Sequence, residues 1–254
     1  PGDNILELLL LIDAARRASA DRVTAVVPYF GYGRQDRKDQ PRVAIGAKLM
    51  ANLIVAAGAD RLVGLDFHQH QIQGFFDIPV DHLYAAPVLT KYFRDKKLED
   101  LVVVAPDVGS AKMARGFAKR LGASLAIIDK RRPAANVTEV LNVVGEVEGK
   151  NCLLADDMVD TGGTLANAVY ALKERGATAV YACASHALLS GKASEKLQEA
   201  PLEEFVVTNS IDIPEERRFE KLKVLSVAGL LSRAIMYIHE NESVSQLFEL
   251  RDDD

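Results

Sequence analysis

The stretch LLADDMVDTGGT (153–164) runs from an apolar segment into two adjacent acids, a third acid, and a Thr-Gly-Gly-Thr turn that opens a helical pattern. An apolar run of strand length that breaks at glycines and continues as a helix is one βα step. The same step recurs outward in both directions. Short apolar runs rich in β-branched residues stand at VTAVV (23–27), RLVGLD (61–66), LVVVAP (101–106), LAIID (125–129), CLLAD (152–156), AVYACAS (179–185) and EFVVT (204–208). They are apolar at successive positions, which suits strands covered on both faces of a parallel sheet. Helical patterns lie between them at 5–18, 43–57, 111–121, 164–175 and 228–240. Gly58, Gly122 and Gly176 follow three of these, where a helix C-terminus calls for a left-handed residue. The alternation predicts an α/β fold with mostly parallel sheets.

One stretch departs from this rhythm. VTEVLNVVGEV (137–147) alternates apolar and polar residues and reads as an antiparallel ribbon added to the sheet. A domain boundary is expected near 78–87, where Pro79 and Pro87 bracket a polar segment. AAGADRLVGLD (56–66) and KERGATAVYAC (173–183) share a helix end, a glycine, an alanine and a strand, which leaves a duplicated α/β unit open.

The 254 residues are 48% apolar and 26% charged, a balance that excludes wholesale disorder. The formal net charge of −5 argues against generic binding to nucleic acid or to an anionic membrane, while leaving room for local basic clusters that grip phosphate. The apolar run 8–12 is too short to span a bilayer. No signal peptide is visible, and a start at Pro1 reads as a cut. Cys152 and Cys183 lie in apolar runs far apart, so they are expected to be buried, reduced and unmetallated, in keeping with a cytoplasmic protein.

The chemistry concentrates at 156–164. Ligands of open α/β sheets sit at the carboxyl ends of strands. There Thr161, Gly162, Gly163 and Thr164 offer backbone N–H groups, two hydroxyls and the positive end of a helix to a phosphate. Asp156, Asp157 and Asp160 would repel that phosphate, so they need another task, which ribose hydroxyls or Mg²⁺ would supply. The plainer alternative is a capped helix beside solvated acids.

This stretch resembles the phosphoribosyl-diphosphate (PRPP) loop of type I phosphoribosyltransferases and of the ribose-phosphate diphosphokinase, or PRPP synthetase, family. Two segments point to the synthetases. YFGYGRQDRK (29–38) resembles their ATP-binding segment and LDFHQHQIQGFFDIP (65–79) the segment that follows it; ordinary transferases lack both. The resemblance continues through IIDKRRP (127–133), VVTNSI (206–211) and ESVSQLF (242–248), so it covers the whole chain. It implies two tandem type I phosphoribosyltransferase-like domains. The first comprises 1–86 and 232–254 and lacks the family's N-terminal βα segment; the second comprises 87–231 and carries the ribose-5-phosphate loop.

Other residues take their roles from the resemblance. Arg34 and Gln35 follow a strand and a Gly-x-Gly turn, where a guanidinium can fork onto phosphate and an amide can meet a base edge, or both can belong to a solvated loop. The resemblance implies ATP binding. His68 and Asp107 stand just past two strands, and the family pattern assigns them the Mg²⁺ of Mg-ATP. His70 is a departure from the family and takes no role. Asp107-Val108-Gly109-Ser110 matches the family's diphosphate loop with Ser110 in place of a second glycine, and Met113 replaces a basic residue. Lys130, Arg131 and Arg132 follow the strand 125–129. The resemblance puts Lys130 and Arg132 on a catalytic loop, with Arg131 on the opposite side of the extended ribbon. Ser243 and Ser245 resemble regulatory phosphate contacts, and Pro41 and Ala44 depart from the regulatory loop.

The expected activity is transfer of the β,γ-diphosphoryl group of Mg-ATP to O1 of ribose 5-phosphate, giving PRPP and AMP, in a homohexameric enzyme. Two alternatives stand beside it: a catalytically silent regulatory paralogue, and a transferase that consumes PRPP. Lys130, Arg132, His68 and Asp107 disfavour the first. The 29–38 and 65–79 segments disfavour the second.

Overall fold

In the computed structural model the chain separates into two compact units, Pro1–Tyr84 and Ala85–Asp254. The structure describes residues 1–131 and 140–248. The division falls inside the proline-bracketed stretch 78–87. It places the described residues 232–248, expected to return to the first domain, with the second unit.

The first unit runs α1 (Gly2–Arg17), β1 (Thr24–Val27), α2 (Gly46–Ala57), β2 (Arg61–Leu65), a 3-10 turn (His70–Phe75) and β3 (Val80–Leu83). Its three strands pair in chain order, all parallel. α2 stops at Gly58, whose φ of 109° is left-handed. Asp60 then ties the unit together: it takes Arg16 Nη2 at 2.5 Å and the Val23 amide at 2.7 Å. Ile12, Ala47, Ala51, Ile54, Leu62 and Ile72 form the core beneath.

The second unit runs α3 (Ala86–Lys96), β4 (Leu101–Ala105), α4 (Ala111–Leu121), β5 (Ser124–Arg131), β6 (Val140–Val144), β7 (Asn151–Val159), α5 (Gly163–Glu174), β8 (Ala179–Ala187), α6 (Ala193–Glu199), β9 (Glu204–Thr208), β10 (Leu222–Leu225) and α7 (Ala228–His239), with 3-10 turns at Glu215–Arg217 and Val244–Phe248. The sheet order is β10-β9-β8-β7-β4-β5-β6. Every pairing is parallel except β5 with β6, the ribbon expected from alternation. Residues 137–139 of that expected ribbon lie outside the described residues. The central strands read as unbroken apolar runs because both faces are covered: Leu153, Leu154, Leu172 and Phe205 are fully buried. Each such side chain contributes about 1.5–3 kcal/mol of burial.

Cys152 and Cys183 are buried free thiols in β7 and β8. Burial pushes the Cys152 thiol up to about 11, against a small opposing pull from Lys173. Burial and the neighbouring Asp156 push Cys183 up as well. A thiol reacts as its thiolate. Iodoacetamide at pH 7.5 should therefore label neither cysteine in the native protein and both in urea, as read by intact mass. Native labelling of either would contradict this packing.

Candidate active site

In the second unit, β4 and β7 are adjacent and parallel, so their carboxyl ends open on the same edge. β4 delivers Asp107 just past its end, and β7 carries Asp156 and Asp157. The acids do not end β7, as the reading of 152–156 anticipated. Pairing with β8 continues through Met158↔His186 and Val159↔Ala187. Asp156 Oδ1 accepts the Asp157 amide at 3.0 Å. Burial, then the charges of Asp157 and Asp107, raise the Asp156 pKa well above the ordinary carboxylate range. Asp107 is fixed from its own loop: its Oδ1 accepts Ser110 N–H at 2.9 Å and Ser110 Oγ–H at 2.8 Å. The sequence marks Ser110 as a replaced glycine that can add a hydroxyl; the structure gives that hydroxyl a partner.

The 160–164 turn is built for close approach. Gly162 caps α5 with φ 71° and no side-chain hydrogen bond. A Cβ there would lie 3.2 Å from Ala193 Cα and O, so glycine is required. A Cβ on Gly163 would meet nothing within 4 Å. Thr161 and Thr164 are exposed on either side. Helix amides at an N-terminus without a side-chain cap, flanked by two hydroxyls, are ready donors to an anion. The carboxylates at the neighbouring strand ends suit hydroxyl donors or a cation instead. A sugar phosphate presents both kinds of group.

The stability consequence for Asp156 has a definite sign. Its folded pKa lies above its unfolded one, so the unfolded chain ionises first as pH rises. Folded stability from this group is fully present below the ordinary carboxylate value and is lost as pH rises through the folded pKa. Asp156→Asn keeps an oxygen for the Asp157 amide and removes the buried charge. Its Tm advantage over the unaltered protein should be absent near pH 4 and grow toward pH 8. Each kcal/mol relieved is worth about 2–4 °C in a domain of this size. A variant less stable at pH 8 than at pH 4, relative to the unaltered protein, would refute the assignment.

In the first unit, the loop after β1 and the segment after β2 also leave neighbouring parallel strands on one edge. Arg34 and Gln35 are exposed there. The Gln35 carbonyl accepts the Ala47 amide at 3.1 Å, and its side chain lies over Gly46, where a Cβ would collide with Oε1. The two segments meet: a Cβ on Gly33 would lie 3.8 Å from His68 Cβ, and Gln71 Nε2 donates to Asp36 Oδ2 at 3.3 Å. Asp66, with φ 39°, turns the chain out of β2 toward His68. The Phe67 ring folds back over Gly64, where a Cβ would collide with it. His82 of β3, which sequence reasoning missed, accepts the Phe67 amide on Nε2 at 3.0 Å. Burial, then the charge of His70, lowers its pKa to about 4, so it is neutral with the proton on Nδ1. The Gln73 amide Nε2 lies 3.4 Å from that nitrogen and donates to the His70 carbonyl at 3.0 Å. His70 Nδ1 lies 3.3 Å from the Tyr84 hydroxyl.

The structure thus brings the loop that carries Arg34 and Gln35 against the 68–71 segment within the first unit, and Asp107, Asp156, Asp157 and the 160–164 turn to one sheet edge in the second. Lys130 contributes its backbone to β5 opposite Leu141. Arg132 lies outside the described residues. Among the described residues, no group of three or more His, Cys, Asp or Glu side chains is placed to hold a metal ion. Magnesium needs less when a substrate supplies oxygens: one or two carboxylates plus phosphate and water complete its octahedron. The repulsion that raises Asp156 is of the kind a divalent cation relieves.

Comparison with known proteins agrees with this geometry. A family model described as "N-terminal domain of ribose phosphate pyrophosphokinase" matches residues 1–58. Another, "Phosphoribosyl synthetase-associated domain", matches residues 132–249. A ribose-phosphate pyrophosphokinase of Caldanaerobacter subterraneus subsp. tengcongensis is 57% identical over 247 residues, 97% of this chain and 78% of the relative. One from a Nostoc species is 57% identical over 97% of this chain and 75% of the relative. Among solved structures, the crystal structure of phosphoribosylpyrophosphate synthetase from Mycobacterium smegmatis superposes with a TM-score of 0.86 at 47% identity, over 93% of this chain and 78% of that one. With identity of this order running through both units, the chain belongs to the ribose-phosphate pyrophosphokinase family.

Proposed function

We propose that this enzyme transfers the β,γ-diphosphoryl group of ATP to the anomeric O1 of ribose 5-phosphate, giving PRPP and AMP. The observation that carries the reading is the 160–164 turn: an α5 N-terminus with open space at Gly163, next to carboxylates late in β7 and just past β4, in a chain 57% identical to ribose-phosphate pyrophosphokinases. The sugar 5-phosphate docks on Thr161, Gly162, Gly163 and Thr164. Asp156, Asp157 and Asp160 receive the ribose hydroxyls. Arg34 and Gln35 bind ATP, and Lys130 and Arg132 supply mobile positive charge. O1 attacks the β-phosphorus in line, the bond from that phosphorus to the α-phosphate bridging oxygen breaks, and AMP leaves. No covalent enzyme intermediate is needed, so positioning and charge neutralisation do the catalysis. Asp107, held by Ser110, would take part in holding Mg²⁺, which when bound neutralises phosphate charge; His68 keeps, within the first unit, the metal role that the family pattern gives it.

The wider organisation follows the same proposal. The two units are tandem phosphoribosyltransferase-like domains. The protein works as a homohexamer in the cytoplasm. No helix among the described residues is long and apolar enough to cross a membrane.

AMP release from ATP and ribose 5-phosphate, measured with the full-length protein, tests the reaction. Release that depends on both substrates and stops with EDTA is the expected result. No AMP, with ribose 5-phosphate still bound, would indicate a silent paralogue. PRPP consumption with a nucleobase would indicate a base transferase.

A further inference from the structure

Three buried polar residues in the second unit take no part in the reaction: Ser185 at 3% exposure, His186 at 1% and Thr208 at 0%. They sit at the carboxyl ends of β8 and β9. Thr208 Oγ donates to the Ser185 carbonyl at 2.6 Å, and Ser210 Oγ donates to the same carbonyl at 2.9 Å. With its one hydrogen committed, the Ser210 hydroxyl accepts from His186 Nδ1–H at 2.8 Å. The Ser210 amide closes the network on Thr208 Oγ at 3.2 Å. Polar groups this deep are costly unless paired, and a fully paired network fixes one arrangement more sharply than apolar packing does.

That arrangement bears on the sugar-phosphate turn. His186 pairs in register with Met158, two residues beyond Asp156 on β7. Directly after His186 the chain folds under 159–162. The Leu188 and Leu189 amides donate to Val159 O at 2.9 and 3.3 Å, and the Ser190 amide to Asp160 O at 2.9 Å. Ala193 then backs Gly162, and Lys196 Nζ reaches Thr161 O at 3.4 Å. This floor holds an unfavourable backbone, since Leu189, a non-glycine residue, has φ 49°. Such a conformation persists only where its surroundings over-determine it. The His186–Ser210 pair anchors the strand end from which the floor departs.

We propose that His186 and Ser210 form a latch that sets the position of the 188–193 floor, and through it the N-terminus of α5, making both of them positioning residues for the sugar phosphate. Neither touches substrate. The inference rests on the reading of 160–164 as the 5-phosphate site.

The test uses Ser210→Ala and Ser210→Thr in the full-length protein, with KM for each substrate and hydrogen exchange of the 160–166 and 188–196 peptides. Ser210→Ala leaves the imidazole N–H without its acceptor. It should raise KM for ribose 5-phosphate about tenfold, the equivalent of one hydrogen bond, while KM for Mg-ATP stays within about twofold. Exchange in both peptides should rise in the free protein. Ser210→Thr keeps the hydroxyl and should restore both readouts. His186→Asn, whose amide N–H reaches the place of Nδ1–H, should stay within about threefold of the unaltered protein. An unchanged KM for ribose 5-phosphate in Ser210→Ala, or an equal rise in both KM values, overturns the latch. If Ser210→Ala does not fold, a tenfold rise in His186→Asn overturns it instead. Failure of the underlying reading has a separate signature: ribose 5-phosphate would then give no exchange protection at 160–166 in the unaltered protein.

Discussion

Lys130→Ala and Arg132→Ala should each lower kcat about 10²–10³-fold while leaving ribose 5-phosphate affinity within a few-fold of the unaltered protein. The split follows from where charge develops. As O1 closes on the β-phosphorus, negative charge spreads over the equatorial oxygens and onto the departing AMP. Cations that meet this charge only at the transition state affect kcat and leave ground-state binding alone. Lys130 extends from β5 into the β5–β6 ribbon at the edge of the second sheet. AMP release gives kcat, and calorimetric titration with ribose 5-phosphate gives the affinity. A kcat within a few-fold for both variants would remove the ribbon from the mechanism.

The elements that the sequence made legible share one property: their local pattern and their tertiary environment ask for the same thing. α4 begins and ends where the pattern predicts, Ala111–Leu121, because Gly122 terminates it with φ 62°. β9, Glu204–Thr208, matches because its apolar run and its burial coincide. Conflict hid the others. α3 opens with Pro87 in its first turn, and the reading used that proline as a boundary marker although proline is well tolerated there. β3 is VDHL, half polar, because Asp81 pairs with Arg61 at 2.6 Å and His82 serves the Phe67 amide. β7 continued past its acids because its pairing with β8 continues, a long-range fact that no local window contains.

The candidate site divides in the same way. The 156–164 motif was legible because a phosphate turn needs specific residue types at adjacent positions. The groups that hold it in place are scattered over 186–210 and look ordinary one at a time. Ser110 is similar: its hydroxyl matters only because the loop curls back on Asp107. A sequence displays donors, whereas support becomes visible only when the strands are laid side by side.

The motif itself faces its sharpest trial in Gly163→Val. Most glycine substitutions in a tight turn confuse binding with folding, and Gly162 is such a case. With φ 71° and Ala193 at 3.2 Å, any side chain there strains the backbone and displaces a buried neighbour. Gly163 differs, because its φ is not left-handed and a Cβ on it meets no atom of the protein within 4 Å. Valine at the first helical position therefore costs the fold little, and Tm should stay within about 2 °C, the equivalent of less than 1 kcal/mol. The open space that accepts the side chain is where the 5-phosphate is expected to lie. Its isopropyl group would hold the phosphate away from the α5 amides and remove about two charge-assisted hydrogen bonds, each about 1.5–3 kcal/mol. Loss of even the smaller sum weakens ribose 5-phosphate binding by about 100-fold or more. Thr164→Ser, which keeps the hydroxyl, should bind within about threefold, and Mg-ATP affinity should be indifferent to either change. Titration calorimetry and a thermal melt on the same samples decide the matter. A Gly163→Val protein that melts like the unaltered one and binds ribose 5-phosphate within tenfold of it would mean that the space above α5 is not the phosphate site, and that the turn is only the beginning of a helix.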